Sequence, residues 1–199
     1  MEILPLFPTP VGLFKLDEPV TKSELKYLSS LSLHNNLGNE TSDIKYLTKE
    51  SKIKRLTKFF EESVDAYFKD VYAPRYDVKL KITQCWLNST KTNQHHHLHS
   101  HPNSFVSGVY FVQSDDTTGK IFFHKDIKKV LDVSPKEFNV FNSESWWLSS
   151  TEGTLLLFPS TLSHSVERVE SEKTRLSISF NTFPVGYLGE EGNLTAMHL

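Results

Sequence analysis

The chain has 199 residues, enough for one compact domain whose core can fold without disulfides. A formal net charge of −2 at pH 7 argues against a nucleic-acid partner and against an electrostatic membrane surface. The single cysteine, Cys85, excludes an intrachain disulfide and fits a reducing compartment.

The N-terminal stretch MEILPLFPTPVGLFKLDEP contains prolines and early acidic residues instead of the basic segment and long apolar run of a signal peptide. No stretch approaches the roughly 20 consecutive apolar residues that cross a bilayer. We therefore expect a cytoplasmic protein with no membrane partner.

Two helices are predicted before residue 75. In TKSELKYLSSLSLH, Thr21 can cap a helix, and Glu24 follows three residues later as in a capping box. In SKIKRLTKFFEESVDAYFKDVY, residues 51–72, apolar side chains recur every three or four positions, and lysines and acidic residues fill the other face. The exposed end of this second helix offers a surface on which two chains could pair as a homodimer.

After the second helix the apolar period changes to two. In DVKLKITQCWLN, Val78, Leu80 and Ile82 alternate with polar residues, as in a half-buried strand. Further strand candidates are separated by turn sequences; they are SFVSGVYFVQ, GKIFFHK, FNVFN, GTLLLFP, HSVERV and TRLSISFNTF. This order predicts an antiparallel sandwich or barrel with helices packed on one face. The last stretch, YLGEEGNLTAMHL, is polar and glycine-rich and is expected to be a loosely held tail.

Five of the nine histidines lie in the segment QHHHLHSHPN. His95, His97, His99 and His101 share a parity, so on an extended segment their side chains would point the same way. A single strand cannot surround a metal ion, and the usual facial set combines two ligands at i and i+2 with a third from a distant strand. The distant candidate is His164, which follows the apolar strand GTLLLFP and a turn.

A second candidate site is formed by Arg175 and Ser177. In TRLSISFN these two residues alternate with Leu176, Ile178 and Phe180, so the polar and apolar side chains are predicted on opposite faces of a strand. An inward-facing arginine is costly unless it meets an anion, and a guanidinium binds a carboxylate through two parallel hydrogen bonds. A metal site with an Arg–Ser pair deeper in the barrel suggests a small dicarboxylate that bridges the two.

The order WLN, HSHPNSFVSGVYF, GKIFF, EGTLLLFPSTLSHSVERV and TRLSISFN resembles the Fe(II)/2-oxoglutarate-dependent dioxygenases. Within them it is most similar to an oxygenase family of bacteria and their phages that is distantly related to prolyl hydroxylases. The resemblance implies a single domain with an all-β core, a double-stranded β-helix or cupin-like jelly roll, over residues 76–183. An α-helical N-terminal part with a strand, 1–75, would support this core, and a tail, 184–199, would follow it.

The same resemblance implies roles for individual residues. His99, His101 and His164 would bind Fe(II), and Arg175 with Ser177 would hold the far carboxylate of the cosubstrate 2-oxoglutarate. The implied reaction uses O2 to hydroxylate a C–H bond and releases succinate and CO2. The implied setting is the cytoplasm of a bacterium or of a phage-infected host cell.

Two positions depart from the pattern of the wider superfamily. His101 stands where a carboxylate is usual, and a set of three histidines alters the affinity and redox tuning of the metal. Phe111 stands where prolyl hydroxylases often carry a second tyrosine. The lateral contacts to 2-oxoglutarate are therefore expected from Tyr110 and from Asn88, which follows the alternating strand into the barrel.

Substrate contacts are expected at the mouth of the barrel. His95, His96 and His97 are not expected to bind metal; they line the entrance, contact the substrate or lie in solvent, and His97 is the candidate for a substrate contact. Trp146 and Trp147 cannot both face inward on a regular strand, and Trp147 is a candidate wall of the substrate pocket. Kinship with prolyl hydroxylases suggests a peptidyl residue, proline foremost, and a small-molecule substrate stays open.

Two other classes of function also stay open. A cupin-like barrel that binds zinc or nickel without redox chemistry would act as an isomerase, hydrolase or sensor. However, PNSFVSG lacks the glutamate, and PSTLSH lacks the glycine, that such barrels usually carry. A barrel that serves only as an interaction module would leave the combination of three histidines and one arginine unexplained. Residue types alone do not separate iron from manganese, nickel or zinc.

Overall fold

The computed structural model describes residues 1–115, 119–126 and 131–199. Within these ranges the chain forms two α-helices, α1 (Lys22–Ser29) and α2 (Lys54–Tyr72). The strands, in chain order, are β1 (Gly12–Lys15), β2 (Leu33–Asn35), β3 (Glu40–Ser42), β4 (Val78–Thr90), β5 (His96–His99), β6 (Val106–Gln113), β7 (Ile121–His124), β8 (Ser145–Leu148), β9 (Thr154–Pro159), β10 (His164–Val166), β11 (Arg175–Leu188) and β12 (Met197–His198). Short 3-10 helices span Leu47–Lys49, Ser51–Ile53 and Glu191–Asn193.

The strands form two sheets that pack face to face. The larger sheet has the order β1-β9-β6-β11-β4-β3-β2, with β12 paired to β11, and the smaller has the order β5-β10-β7-β8. Alternation along each strand sends every second side chain into the space between the sheets. The apolar residues that meet there are Val109, Phe111, Leu156 and Phe158 from the larger sheet and Ile121 and Phe123 from the smaller. This two-sheet sandwich is the arrangement of a jelly roll.

The helices cover the other face of the larger sheet. The buried stripe of α2 packs there, and the Phe60 ring lies 5.2 Å from the Phe180 ring of β11. Arg55 of α2 forms an ion pair of 2.7 Å with Glu24 of α1, which joins the two helices. The molecule therefore has three layers, and the space between the two sheets is shielded from solvent on the helical side.

Both predicted helices are present. In α1 the Thr21 hydroxyl accepts a hydrogen bond from the Glu24 backbone N–H, and the Glu24 carboxylate accepts one from the Thr21 backbone N–H, as in a capping box. The segment 1–75 is nevertheless mixed, because β1, β2 and β3 join the larger sheet. The N-terminal part thus extends the barrel as well as supporting it.

One predicted strand is wrong. The segment FNVFN, residues 138–142, forms a turn, because the Asn139 side chain accepts hydrogen bonds from the backbone N–H groups of Phe141 and Asn142. The strand in this region is β8, which starts three residues later and carries Trp146 and Trp147.

The C-terminal residues 184–199, expected as a loose tail, include the last part of β11 and all of β12. Gly186 donates a backbone hydrogen bond of 2.9 Å to Leu199. Neither helix in the described ranges combines the length and the apolar character needed to span a bilayer.

Gly108 is a point at which the packing of β6 can be tested. A Cβ atom at this position would overlap the ring of Phe180, which is itself fixed against Phe60. We expect Gly108→Ala to lower the free energy of unfolding by about 1–3 kcal/mol, because the overpacked ring has to move. Urea unfolding of the purified variant measures this value.

The matched control is Gly192→Ala, since no atom lies within 4 Å of a Cβ built at Gly192. This variant should stay within about 0.5 kcal/mol of the unchanged protein. Equal effects of the two substitutions would contradict the packing described for β6.

Candidate functional site

Three histidines converge at one end of the space between the sheets. His99, the last residue of β5, is directly opposite His164, the first residue of β10. His101 lies two residues beyond β5, where its backbone N–H donates a hydrogen bond of 2.9 Å to Ser160. One ring nitrogen of each histidine lies within 4.8 Å of the corresponding atoms of the other two. The Nε2 atoms of His101 and His164 are 3.4 Å apart.

Backbone carbonyls fix the tautomers of two of these rings. Nδ1 of His99 lies 2.8 Å from the carbonyl oxygen of His97, and Nδ1 of His164 lies 3.0 Å from that of Leu162. A carbonyl only accepts, so each Nδ1 carries the hydrogen and each Nε2 keeps a free lone pair. A metal-binding histidine usually donates its other ring N–H to a carbonyl or carboxylate in this way, which fixes the orientation of the ring.

Burial keeps the same rings neutral. Burial, with a smaller contribution from the neighbouring imidazoles, lowers the pKa of His101 to about 4 and that of His164 to about 3. The pKa of His99 is also lowered, chiefly by burial. At neutral pH all three side chains are therefore in the deprotonated form that a metal ion requires.

Arg175 starts β11 and buries a cation between the sheets. Its side chain is 2% exposed, its Nε donates to the Ser150 hydroxyl at 3.3 Å, and its Nη1 donates to the Ser177 hydroxyl at 3.2 Å. The guanidinium lies over the Phe111 ring, 5.1 Å from its centroid. Nη2 has no hydrogen-bond partner among the residues that the structure describes, and burial lowers the pKa of this group to about 10. A buried guanidinium with a free N–H group is a receptor for an anion.

The predicted alternation along β11 is confirmed. Leu176, Ile178 and Phe180 belong to the core cluster on the helical side of the sheet. Arg175 and Ser177 line a narrow cavity of about 30 Å³ between the sheets, together with the three histidines.

Asn88 of β4 is brought to the same cavity. Its Nδ2 donates to the Ser179 hydroxyl at 2.9 Å, while its buried Oδ1 has no partner. The cavity thus has imidazole nitrogens at one end, a guanidinium at the other, and a free polar atom between them.

A second, open cavity of about 320 Å³ lies on the other side of the histidines. His97, the predicted substrate contact, lines it, and His97 Nδ1 lies 3.2 Å from the carbonyl oxygen of Leu37. His96, His99, His101 and Trp86 line both cavities, so the two are contiguous.

The structure does not bring Tyr110 to either cavity. Tyr110 alternates with Val109 and Phe111 on β6 and therefore faces the helices, where its ring lies 5.4 Å from that of Phe60. The expected contact between the Tyr110 hydroxyl and the cosubstrate does not fit this placement.

Trp147 also lies away from both cavities. It pairs with Phe122 on β7, which faces outward, and Lys120 Nζ lies 4.4 Å from the centroid of the Trp147 ring. Trp146 pairs with Phe123, which belongs to the cluster between the sheets. The inward-facing tryptophan of β8 is thus Trp146, and the role expected for Trp147 does not fit its position.

His96 and Trp86 are site residues that the sequence did not assign. The His96 ring stacks on that of His99 at 4.5 Å, and burial lowers the His96 pKa to about 2. Strict alternation would have turned His96 away from His99, but the pairing of β5 with β10 is irregular between His164 and Val166. The Trp86 ring stacks on the His101 ring, with the two ring centroids 6.0 Å apart.

Comparison with protein families gives a direct match. The family model described as "Putative 2OG-Fe(II) oxygenase" matches residues 84–181, about half of the chain, and this segment contains all three histidines, Arg175 and Ser177. No curated protein matches the chain.

Solved structures share the fold. HygX from Streptomyces hygroscopicus, with nickel, 2-oxoglutarate and hygromycin B bound, is 12% identical with a TM-score of 0.59, over 87% of this chain and 82% of that chain. A prolyl hydroxylase from Trichoplax adhaerens, in complex with a hypoxia inducible factor peptide, is 14% identical with a TM-score of 0.57, over 81% and 75%. A prolyl-4-hydroxylase from Pseudomonas putida is 10% identical with a TM-score of 0.56, over 88% and 94%.

At such low identities these structures establish the fold, which is the jelly roll of 2-oxoglutarate oxygenases. The family match covers the segment in which the metal-binding histidines and the buried arginine had been predicted. Through residues 84–181, this chain belongs to the 2OG-Fe(II) oxygenase family of enzymes, which use Fe(II) and 2-oxoglutarate.

Proposed function

We propose that this oxygenase hydroxylates a C–H bond of a peptidyl residue, proline foremost, or of a small molecule that enters the open cavity. The proposal rests on one observation. Three neutral imidazoles with ligand atoms within 4.8 Å share a cavity with a fully buried guanidinium that has a free nitrogen.

The residues of the site fit the metal and the cosubstrate. His99, His101 and His164 would hold Fe(II) through ring nitrogens that lie within 4.8 Å of one another. Arg175 and Ser177 would hold the distal carboxylate of 2-oxoglutarate, and Nη2 of Arg175 would gain the acceptor that it lacks. The unpartnered Oδ1 of Asn88 is an acceptor, so its partner would be an N–H or O–H group and not a carboxylate of 2-oxoglutarate.

The narrow cavity of about 30 Å³ is lined by the three histidines, by Arg175 and by Ser177, so the residues proposed for the metal and for the cosubstrate face the same space. His96 lines both cavities, together with Trp86, His99 and His101.

When bound, Fe(II) and 2-oxoglutarate supply the oxidation by O2 that releases succinate and CO2 and leaves a hydroxyl group on the substrate. The protein orients the cosubstrate and excludes water from the site. Arg175 fixes one end of the cosubstrate, and Phe158 and Ile121 keep water out of the cavity between the sheets. Trp86 and His97 line the side from which the substrate approaches.

The open cavity has room for an amino-acid residue or a small molecule, since ligand cavities typically begin at roughly 300 Å³. Both kinds of ligand occur among the structural neighbours: HygX was crystallised with hygromycin B, and the Trichoplax prolyl hydroxylase with a peptide. A non-redox metal barrel would give no role to the free nitrogen of Arg175, which favours the oxygenase over that alternative.

His164→Ala tests the metal site. Loss of one of three ligands should weaken metal binding by more than about 100-fold and remove the slow, substrate-free formation of succinate from 2-oxoglutarate. Calorimetric titration of metal-stripped protein and NMR detection of succinate measure the two effects. His124→Ala is the matched control, because His124 bonds the Ser165 hydroxyl at 3.0 Å and lies outside the three-histidine set. Full activity of His164→Ala would refute the assignment.

Arg175→Met tests the cosubstrate receptor. We expect the dissociation constant of 2-oxoglutarate to rise by roughly 10- to 150-fold, because the charged hydrogen bonds are lost, while metal affinity stays within about threefold. The metal-free variant should be as stable as the unchanged protein or more stable, since a buried charge without an anionic partner is removed. Calorimetry with 2-oxoglutarate and urea unfolding give the two values.

Arg55→Met is the control for stability, because Arg55 is paired with Glu24 and its replacement removes a favourable ion pair. It should leave 2-oxoglutarate affinity unchanged. Strong destabilisation by Arg175→Met with unchanged 2-oxoglutarate affinity would assign Arg175 a structural role instead.

A further inference from the structure

The open cavity has an uneven distribution of charge. It is lined by four histidines, by Trp86 and by four further residues: Asn36, Thr41, Lys45 and Gln84. None of the lining residues is acidic, and Lys45 is the one that is positively charged at neutral pH. A cavity of this composition favours a negatively charged ligand.

Lys45 is held in place by the backbone. Its carbonyl accepts a hydrogen bond of 2.9 Å from the Cys85 N–H of β4, the strand that also carries Trp86. The Lys45 Nζ donates to the carbonyl oxygen of Ser42 at 2.6 Å and to the Thr41 hydroxyl at 3.3 Å. An ammonium group has three N–H donors, so one remains for a ligand in the cavity.

The charge of Lys45 has no direct counter-charge among the described residues. Asp43, the acid that acts on it most strongly, is bound to Nδ1 of His34 at 2.6 Å, and Glu40 is bound to Lys91 at 2.7 Å. Burial lowers the pKa of Lys45, and Asp43 only opposes this shift. A half-buried ammonium without a carboxylate partner gains free energy when an anion arrives.

We propose that the substrate of this oxygenase carries a carboxylate, which binds Lys45 in the open cavity. This inference rests on the proposed function, because the same cavity is lined by His99 and His101 of the metal site. One ammonium matches the single charge of a carboxylate, whereas a phosphate would bring a second charge that no lining residue neutralises. The hydrocarbon part of the substrate packs on the Trp86 ring and is thereby directed toward the histidines.

Two sources share this chemistry: a free amino-acid-sized acid and a short peptide with an exposed carboxylate. They are distinguished by four probe pools, namely the twenty L-amino acids, their amides, the glycyl dipeptides of the same residues, and the dipeptide amides. Binding to the Zn(II)-loaded protein with 2-oxoglutarate is followed by saturation-transfer NMR, which requires no turnover. The strongest member and its amide are then titrated by calorimetry.

We expect at least one acid to bind about tenfold or more tightly than its amide, since an ammonium–carboxylate hydrogen bond is replaced by a neutral one. If only free amino acids bind more tightly than their amides, the substrate is a small acid. If only dipeptides show this preference, the substrate is a peptide with a free carboxyl terminus. Equal binding of acids and amides, or no binding by any pool, would overturn the proposal on the unchanged protein alone.

Variants of Lys45 provide the second comparison. Lys45→Met should reduce the difference between acid and amide to less than about twofold, and Lys45→Arg should keep most of it because the positive charge is retained. Lys49→Met is the control, since Lys49 lies four residues away, is exposed and packs over the Tyr46 ring at 4.8 Å. An acid preference that persists in Lys45→Met would refute the assignment.

Failure of this inference and failure of the proposed function give different results. If the Fe(II)-loaded protein forms succinate but shows no preference for acids, the oxygenase function stands and the carboxylate proposal falls. If acids bind in a Lys45-dependent manner and no succinate forms, the cavity assignment stands and the oxygenase function falls.

Discussion

A positive charge buried between two β-sheets, without an anionic partner in the described parts of the chain, is the constraint around which the site is built. The guanidinium of Arg175 is supported by two serine hydroxyls and the face of Phe111, but one of its nitrogens stays unpaired. Neutral hydrogen bonds compensate only part of the desolvation of a charge. We therefore expect an apolar side chain at this position to give a more stable ligand-free protein, and the proposed carboxylate ligand would supply the acceptor that Arg175 lacks. The same unpaired charge would thus strengthen the binding of an anion and lower the stability of the ligand-free protein.

The histidines complement this charge by being neutral. Carbonyls of His97 and Leu162 orient two of the rings, and burial disfavours protonation of all three. Because His101 stands where the wider superfamily has a carboxylate, the proposed set of three neutral ligands would leave the full charge of a divalent ion uncompensated. Together with Lys45 in a cavity without acids, this makes both sides of the metal site favourable for anions. A histidine in place of a carboxylate at position 101 thus agrees with the lack of acidic residues in the lining of the open cavity.

Alternation along a strand explains which parts of the site could be read from the sequence. The polar and apolar faces of β11 follow from period two, and the positions of Arg175 and Ser177 were predicted correctly for that reason. Tyr110 was misplaced because its motif does not say which parity of β6 faces the smaller sheet; pairing with β11 decides that. The contact of His96 with His99 was not predicted, because the irregular pairing of β5 with β10 breaks the alternation of side chains. No sequence pattern marks Lys45 as a site residue, because only its tertiary contact with β4 brings it near Trp86.

The long strand β4 is shared by two parts of the chain with separate tasks. On one side it pairs with β11, which holds Arg175, and on the other it pairs with β3, which leads to Lys45. The three histidines and Arg175 all lie within residues 84–181, whereas Asn36, Thr41 and Lys45 precede this segment. The open cavity thus combines residues from two stretches of sequence that meet at one strand. A substitution at Asn36, Thr41 or Lys45 would change the lining of the open cavity without changing the three histidines or Arg175, so the shape and charge of that cavity can vary independently of the histidine–arginine site.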